Sequence, residues 1–408
     1  MQPIKKYNLT SARAQANPSP VWREMQADGA VVPSKMLLIN RVWLATTWEA
    51  SNRVLRNQEL FVRDASRVGG KRVPGLKWWI PKKFARLANN MLAHDGEQHR
   101  RLRGLVDQAF HRSAVELWQE RIETLADGLI DGMMQRQRLA EPVEFVSQFC
   151  RELPLNVICE LLGLPKEDKP KFKQWFRSFS ELKSAWGLFR IIPGVSKLLK
   201  YFDVKFEELR NNPQPGLLSD LIQMEVEGDR LTHDELVSTV FLLLVAGHET
   251  TVHMLSTGLH AFLTHPEQFA RLRNDDSLWP TAIEEFLRFN SPVQMSKPRI
   301  VFEDTELCGQ TVRRGEYIMA VIGAANADPE KFDEPEKLNL ERSPNPHLSF
   351  GSGIHTCLGL KLAKAETELG LKRLFERIPD VRLRNSESFQ WHGRLGMRCL
   401  KQMHLAFP

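Results

Sequence analysis

From Thr232 to Thr264 the sequence sustains one helical pattern without a break, and few folds have room for it. Thr232 and Glu235 stand at capping-box spacing, the apolar stripe runs through Leu242, Val245 and Leu259, and Pro266 follows the end. At 1.5 Å per residue such a helix is about 50 Å long. That exceeds the usual helix length and predicts an element crossing the whole molecule. Gly247, in its middle, requires a reason of its own.

The rest of the chain supports a mainly α fold. Of 408 residues 42% are hydrophobic and 26% charged, enough apolar surface for a large core. Ala114 to Gln135 repeats apolar residues three and four apart, and a further helical stretch runs from Leu360 to Leu374. Strand character is short and peripheral, at Val31 to Asn40, Arg41 to Thr47 and Arg299 to Val312. Residues 1–408 therefore read as one domain, an α-rich body with a small β-rich subregion. After Ser291 prolines punctuate the chain, and a long irregular stretch from Asn326 to Ser349 leads into Phe-Gly-Ser-Gly. Loops of that length in compact proteins carry function.

Several classes are excluded. The net charge of +6 is too diffuse for nucleic-acid binding. The longest apolar run, Val240 to Ala246, is far short of the roughly 20 residues of a membrane span, and the first residues lack an apolar export segment. The expectation is a cytoplasmic protein without a membrane anchor. Five scattered cysteines make no disulfide framework.

One of those cysteines stands in the most informative segment, Phe350-Gly351-Ser352-Gly353-Ile354-His355-Thr356-Cys357-Leu358-Gly359. Two glycines allow a tight turn and close approach to a flat ligand. Helical sequence follows, so Cys357 is expected at a helix N-terminus, where the dipole favours the metal-binding thiolate. A dinucleotide fingerprint does not fit, because its third glycine would fall on Thr356. On the long helix, Ala246-Gly247-His248-Glu249-Thr250-Thr251 places an acid beside a threonine whose hydroxyl can bond the Ala246 carbonyl. With Gly247 this would open the helix locally. A zinc-protease reading fails: the second histidine of H-E-x-x-H would be Val252, and His253 lies about 140° round the helix from His248.

The cysteine segment resembles the haem-binding loop of the cytochrome P-450 family, and the Ala246 to Thr251 segment matches that family's oxygen-binding motif. The resemblance spans nearly the whole chain. It implies a triangular helical prism with small peripheral β-sheets and haem b (iron protoporphyrin IX). Cys357 would be the iron ligand, and Phe350, Gly351, His355 and Gly359 the rest of the loop. Ala246 and Gly247 would line the oxygen side, with Thr250 and Glu249 as catalytic residues that deliver protons. Glu285 and Arg288, at E-x-x-R spacing, resemble the family's structural helix with Arg342 as third member; alone they would read as a surface pair. His99 and Arg103, four apart, with Arg299 and His355, would hold the haem propionates.

The implied function is a monooxygenase that inserts one oxygen atom of O2 into a C–H bond of a hydrophobic small molecule. Electrons would come from a ferredoxin or flavodoxin with its NAD(P)H reductase. Arg100, Arg101, Arg112, Lys361 and Lys364 are the expected basic docking residues. A peroxide-driven peroxygenase and a non-catalytic haem-thiolate sensor are the alternatives. Substrate-pocket candidates are Trp79, Leu242, Val245, Val293, Met295 and Met397, each of which could equally be plain core.

Overall fold

In the computed structural model the described residues are 4–36, 39, 41–69, 87, 89–112, 118–180, 187–226, 231–385 and 389–408. The chain divides into two compact units. One comprises Met1–Lys77, Ala126–Cys150 and Thr250–Pro408, the other Trp78–Leu125 and Arg151–Glu249. Two of the boundaries between these units fall inside continuous helices, Gln119–Arg138 and His233–Thr264.

The first unit holds the sheets. Its main sheet has five strands in the order Val31–Ser34, Val42–Ala45, Tyr317–Ala320, Arg299–Val301, Phe61–Val62. Trp43 to Ala45 run parallel to Ile318 to Ala320, and the other pairings are antiparallel. Both central strands are buried end to end or nearly so, which is why Val-Trp-Leu-Ala and Tyr-Ile-Met-Ala show no polar alternation. Trp48–Arg56 packs on this sheet: Ala50, Val54 and Leu55 join Val31, Trp43, Ile318 and Ala320 in one apolar cluster. Thr47 caps that helix by accepting the Ala50 amide. A second sheet is built on Leu400–Ala406, and Thr305–Leu307 pairs with Gln310–Val312 as a hairpin.

The second unit is helical. Gly96–Arg112, Glu152–Leu161, Lys169–Ser180, Gly187–Asn211 and Leu217–Val226 accompany the first half of the long helix. Glu235 fastens the start of that helix. Its carboxylate accepts the Thr232 amide at 2.9 Å while the Thr232 hydroxyl accepts the Glu235 amide, the reciprocal capping box expected from sequence. Gln98 and Arg101 also donate to Glu235.

The long helix is continuous from His233 to Thr264 and passes through Gly247 without a break. Gly247 also has a packing role. A Cβ there would sit 3.5 Å from Ile158 Cδ1, so the absent side chain lets Glu152–Leu161 approach. The helix is long and apolar enough to cross a membrane, but 67% of its most apolar window is buried inside the protein. Its hydrophobicity is that of a core element.

Candidate functional site

The cysteine loop belongs to the first unit and is shaped by its glycines. Gly351 and Gly353 have φ of 74° and 79°, left-handed values that glycine adopts without strain. A Cβ on Gly353 would lie 3.0 Å from both Arg56 Cα and the Leu55 carbonyl oxygen, so the loop rests directly on the end of Trp48–Arg56. The Cys357 amide donates to the Phe350 carbonyl at 2.9 Å, and Thr356 donates amide and hydroxyl to Gly353. These bonds close the loop on itself. The following helix begins at Leu360, with Gly359 ahead of it, so Cys357 stands three residues outside the helix and not at its N-terminus as expected. The dipole contribution to its thiolate is correspondingly weaker.

Behind the loop, Glu285 and Arg288 are 0% and 1% exposed. The surface-pair reading therefore does not hold. Arg288 meets both carboxylate oxygens at 2.7 and 2.8 Å and donates to the carbonyls of Asn326, Pro335 and Lys337. Arg342 Nε, Asn345 Nδ2 and the Asn339 amide complete the shell of Glu285. One carboxylate thus collects the irregular segment 326–349 onto one helix; the pocket candidate Trp79 lies outside the described residues.

Sequence reasoning missed the polar cluster beside this network. Asn326 Nδ2 donates to the hydroxyls of Ser291 and Ser349, while its oxygen accepts the Leu348 amide two residues before Phe350. Its only sequence signal is a polar residue in an otherwise apolar run. Glu284, neighbour of Glu285, is half-buried at a cost that would raise its carboxyl, but hydrogen bonds with His347 and Lys364 hold it below the usual carboxylate range.

Arg299 is fully buried at the start of its strand, donating to the carbonyls of Phe61 at 3.1 Å and Leu55 at 3.0 Å. Leu55 therefore touches both Arg299 and the cysteine loop. His355, in a short turn after Gly353, is half-buried. In the second unit, His99 is buried and Arg103 half-buried on Gly96–Arg112, but Arg103 Nε is engaged with Asp107 at 3.2 Å. Arg101 and Lys364, expected on a docking patch, are drawn into ion pairs with Glu235 and Glu284. Arg100 and Lys361 are exposed.

The long helix has one side that is less buried than the rest. Between Glu235 and Leu259 every residue is buried except Phe241, Val245, Ala246, Gly247, Glu249 and Thr250. Phe241, Val245 and Glu249, like Ala246 and Thr250, are four apart and share one side. Ala246 alone in this span is exposed outright. His248 points the other way, its Nε2 at 3.1 Å from the Arg151 carbonyl, and burial pushes its pKa down to about 4.

Among the pocket candidates, Leu242 is buried at the margin of this face and Val245 lies on it. Val293 bridges to Met397, and both are half-buried. Met295 is a correction: it is 5% exposed and packed with Trp22, Met25, Leu44 and Met319 in a core cluster.

These residues fit the group that the resemblance implies. A soft sulfur donor sits on a half-buried loop, a Cβ on Gly359 would meet nothing within 4 Å, and the helix carries one open face in a buried span. Among the described residues no three His, Cys, Asp or Glu side chains form a metal cage. A metal on Cys357 would take its other ligands from a cofactor.

Comparison with known proteins gives one consistent result. Residues 74–378 match the family model described as Cytochrome P450. The polyketide biosynthesis cytochrome P450 PksS of Bacillus subtilis (strain 168) is 34% identical over 388 residues, 94% of this chain and 92% of that protein. Among solved structures, the myxobacterial cytochrome P450 CYP267B1 in complex with myristic acid has a TM-score of 0.86 at 33% identity, covering 98% of each chain. P450BioI, in complex with hexadec-9Z-enoic acid ligated acyl carrier protein, has a TM-score of 0.86 at 31% identity, covering 97% of this chain and 100% of that one.

Proposed function

The chain belongs to the cytochrome P450 family of haem oxidoreductases, and from that premise we propose that it hydroxylates an apolar small molecule, with electrons from a separate carrier protein. The observation that carries this reading is the open face at Val245, Ala246, Glu249 and Thr250 on an otherwise buried helix, in a chain that also presents Cys357 on a glycine-shaped loop. When bound, haem supplies the reductive activation of dioxygen and the insertion of one oxygen atom into a C–H bond.

The chain's own residues bind, orient and supply protons. Cys357 gives its sulfur as the iron ligand, and the Phe350 carbonyl fixes its backbone. His99, Arg103, Arg299 and His355 are the cations for the propionates, with Arg299 set in place by the carbonyls of Leu55 and Phe61. Ala246 and Gly247 keep the oxygen side free of bulk. Glu249 and Thr250 form the proton relay, the Glu249 carboxyl passing a proton to the Thr250 hydroxyl. Glu285, Arg288 and Arg342 hold the segment that delivers the cysteine loop.

The substrate is a long apolar molecule of fatty-acyl or polyketide type. Support comes from the relatives that bind myristic acid or belong to polyketide biosynthesis, and from the apolar character of Leu242 and Val245 at the open face of the long helix. The electron donor is a ferredoxin or flavodoxin with its NAD(P)H reductase, and exposed Arg100 and Lys361 are cations an acidic carrier can use. The test is the carbon monoxide difference spectrum of the reduced holoprotein, followed by turnover of myristic acid with a ferredoxin and its reductase. A strongly red-shifted Soret band with oxygenated product is expected; a band at the position of a neutral-ligand haem removes Cys357 as working thiolate.

A further inference from the structure

Glu284 stands beside Glu285 on Trp279–Phe289, but adjacent helix positions point about 100° apart, so its carboxylate meets a different set of groups. One oxygen, Oε2, is 2.8 Å from His347 Nε2, and the other pairs with the Lys364 ammonium. The Ser349 amide donates to His347 Nδ1 at 3.3 Å, so Nε2 carries the proton that goes to Glu284. Both partners of Glu284 then turn to one ring. The Lys364 ammonium lies 5.5 Å from the centre of the Phe350 ring, within cation–π range, and the His347 ring lies 6.3 Å from it. Phe350 opens the cysteine loop, and its carbonyl accepts the Cys357 amide at 2.9 Å. One carboxylate therefore reaches the Cys357 backbone through two side chains and a single aromatic residue. It also balances a charge. Lys364 is half-buried beside the loop, and Glu284 is the acid that offsets it.

We propose that Glu284, with His347 and Lys364, is a positioning unit for Cys357: it grips the Phe350 ring and holds the net charge beside the loop at zero, so setting the reduction potential of the metal that Cys357 carries. Glu284 acts through its neighbours. A cation added near a metal favours the reduced form and an anion the oxidised form, and at a half-buried site screening leaves only part of the Coulomb energy. The inference rests on the haem-enzyme reading above.

The reduction potential of the holoenzyme is measured by dithionite titration for wild type, Glu284→Gln, Lys364→Met, Lys364→Arg and the Glu284→Gln/Lys364→Met double variant, with melting temperature alongside. Glu284→Gln keeps an acceptor for His347 but removes the charge, so the reduction equilibrium is expected to rise about threefold, roughly 28 mV for one electron. Lys364→Met lowers it by a similar factor, the double variant returns to wild type, and Lys364→Arg stays there. Opposite shifts in the two single variants are a signature that lost packing cannot give, since lost packing lowers the melting temperature of both alike. Potentials unchanged within about twofold, or shifted the same way by both, overturn the proposal. If Glu284→Gln loads too little haem to titrate, the Lys364→Met and Lys364→Arg pair decides. The carbon monoxide difference spectrum of the wild type is recorded first. Absence of the thiolate band overturns the haem-thiolate reading and this inference with it, whereas a normal band with unshifted potentials overturns this inference alone.

Discussion

At Gly353 a single missing carbon decides the geometry of the cysteine loop, because its φ of 79° and its 3.0 Å clearance to Arg56 and Leu55 both forbid a side chain. Gly353→Ala must strain the backbone and push the loop from the helix end, at a cost of about 1–3 kcal/mol. The expected result is lower haem occupancy, read as Soret absorbance per mole of protein, with a small fall in melting temperature. Thr250, half-buried on the open helix face, is the complementary case. Thr250→Ala is expected to retain haem and substrate binding but to divert reducing equivalents into hydrogen peroxide. Unchanged product per NAD(P)H consumed would remove Thr250 from proton delivery.

At the scale of elements, the helix Trp279–Phe289 is the anchor of the irregular segment through Glu285. Glu285→Ala leaves Arg288 and Arg342 as uncompensated buried or nearly buried cations, which costs about 3–5 kcal/mol, against about 0–1 kcal/mol for an exposed pair. Thermal melting and haem yield of the variant distinguish the two. Such motifs were legible because their chemistry demands given residue types at given spacing: the E-x-x-R pair and the Thr232 capping box both form the contacts their spacing implied. Other elements were hidden for physical reasons. Tyr317–Ala320 is four residues long and buried nearly throughout, and its parallel partner is Trp43 to Ala45, so nothing local marks it as a strand. Met295 looked like pocket because it neighbours Val293, but a side chain's facing is settled by packing that adjacency does not encode. The pairing of Arg101 and Lys364 was invisible for the same reason: their acids lie far away in sequence.

For the whole molecule, buried ionisable groups set opposing pH windows. His248 and His260 are both pushed from 6.5 to about 4 by burial, so between those values the unfolded chain binds protons that the native one refuses, and stability falls as pH drops. Glu366 is pushed by burial from 4.5 to about 8; here the native state keeps a proton the unfolded chain has lost, and stability falls as pH rises between those values. Two histidines outweigh one glutamate below pH 6.5, and the glutamate acts alone above it. Stability should therefore peak near pH 6.5 and decline by about 2 kcal/mol toward pH 8. Melting temperature against pH measures this, and Glu366→Gln should flatten the alkaline limb. The topology of the first unit also imposes a schedule on synthesis. Trp43 cannot find its parallel partner until Ile318 has left the ribosome, which at usual translation rates takes tens of seconds. Throughout that interval the early strands Val31–Ser34 and Val42–Ala45 present an open edge and an uncovered apolar face, a substrate for chaperones. Cys357 is made later still, so the nascent chain holds its earliest strands in waiting before the cysteine loop exists.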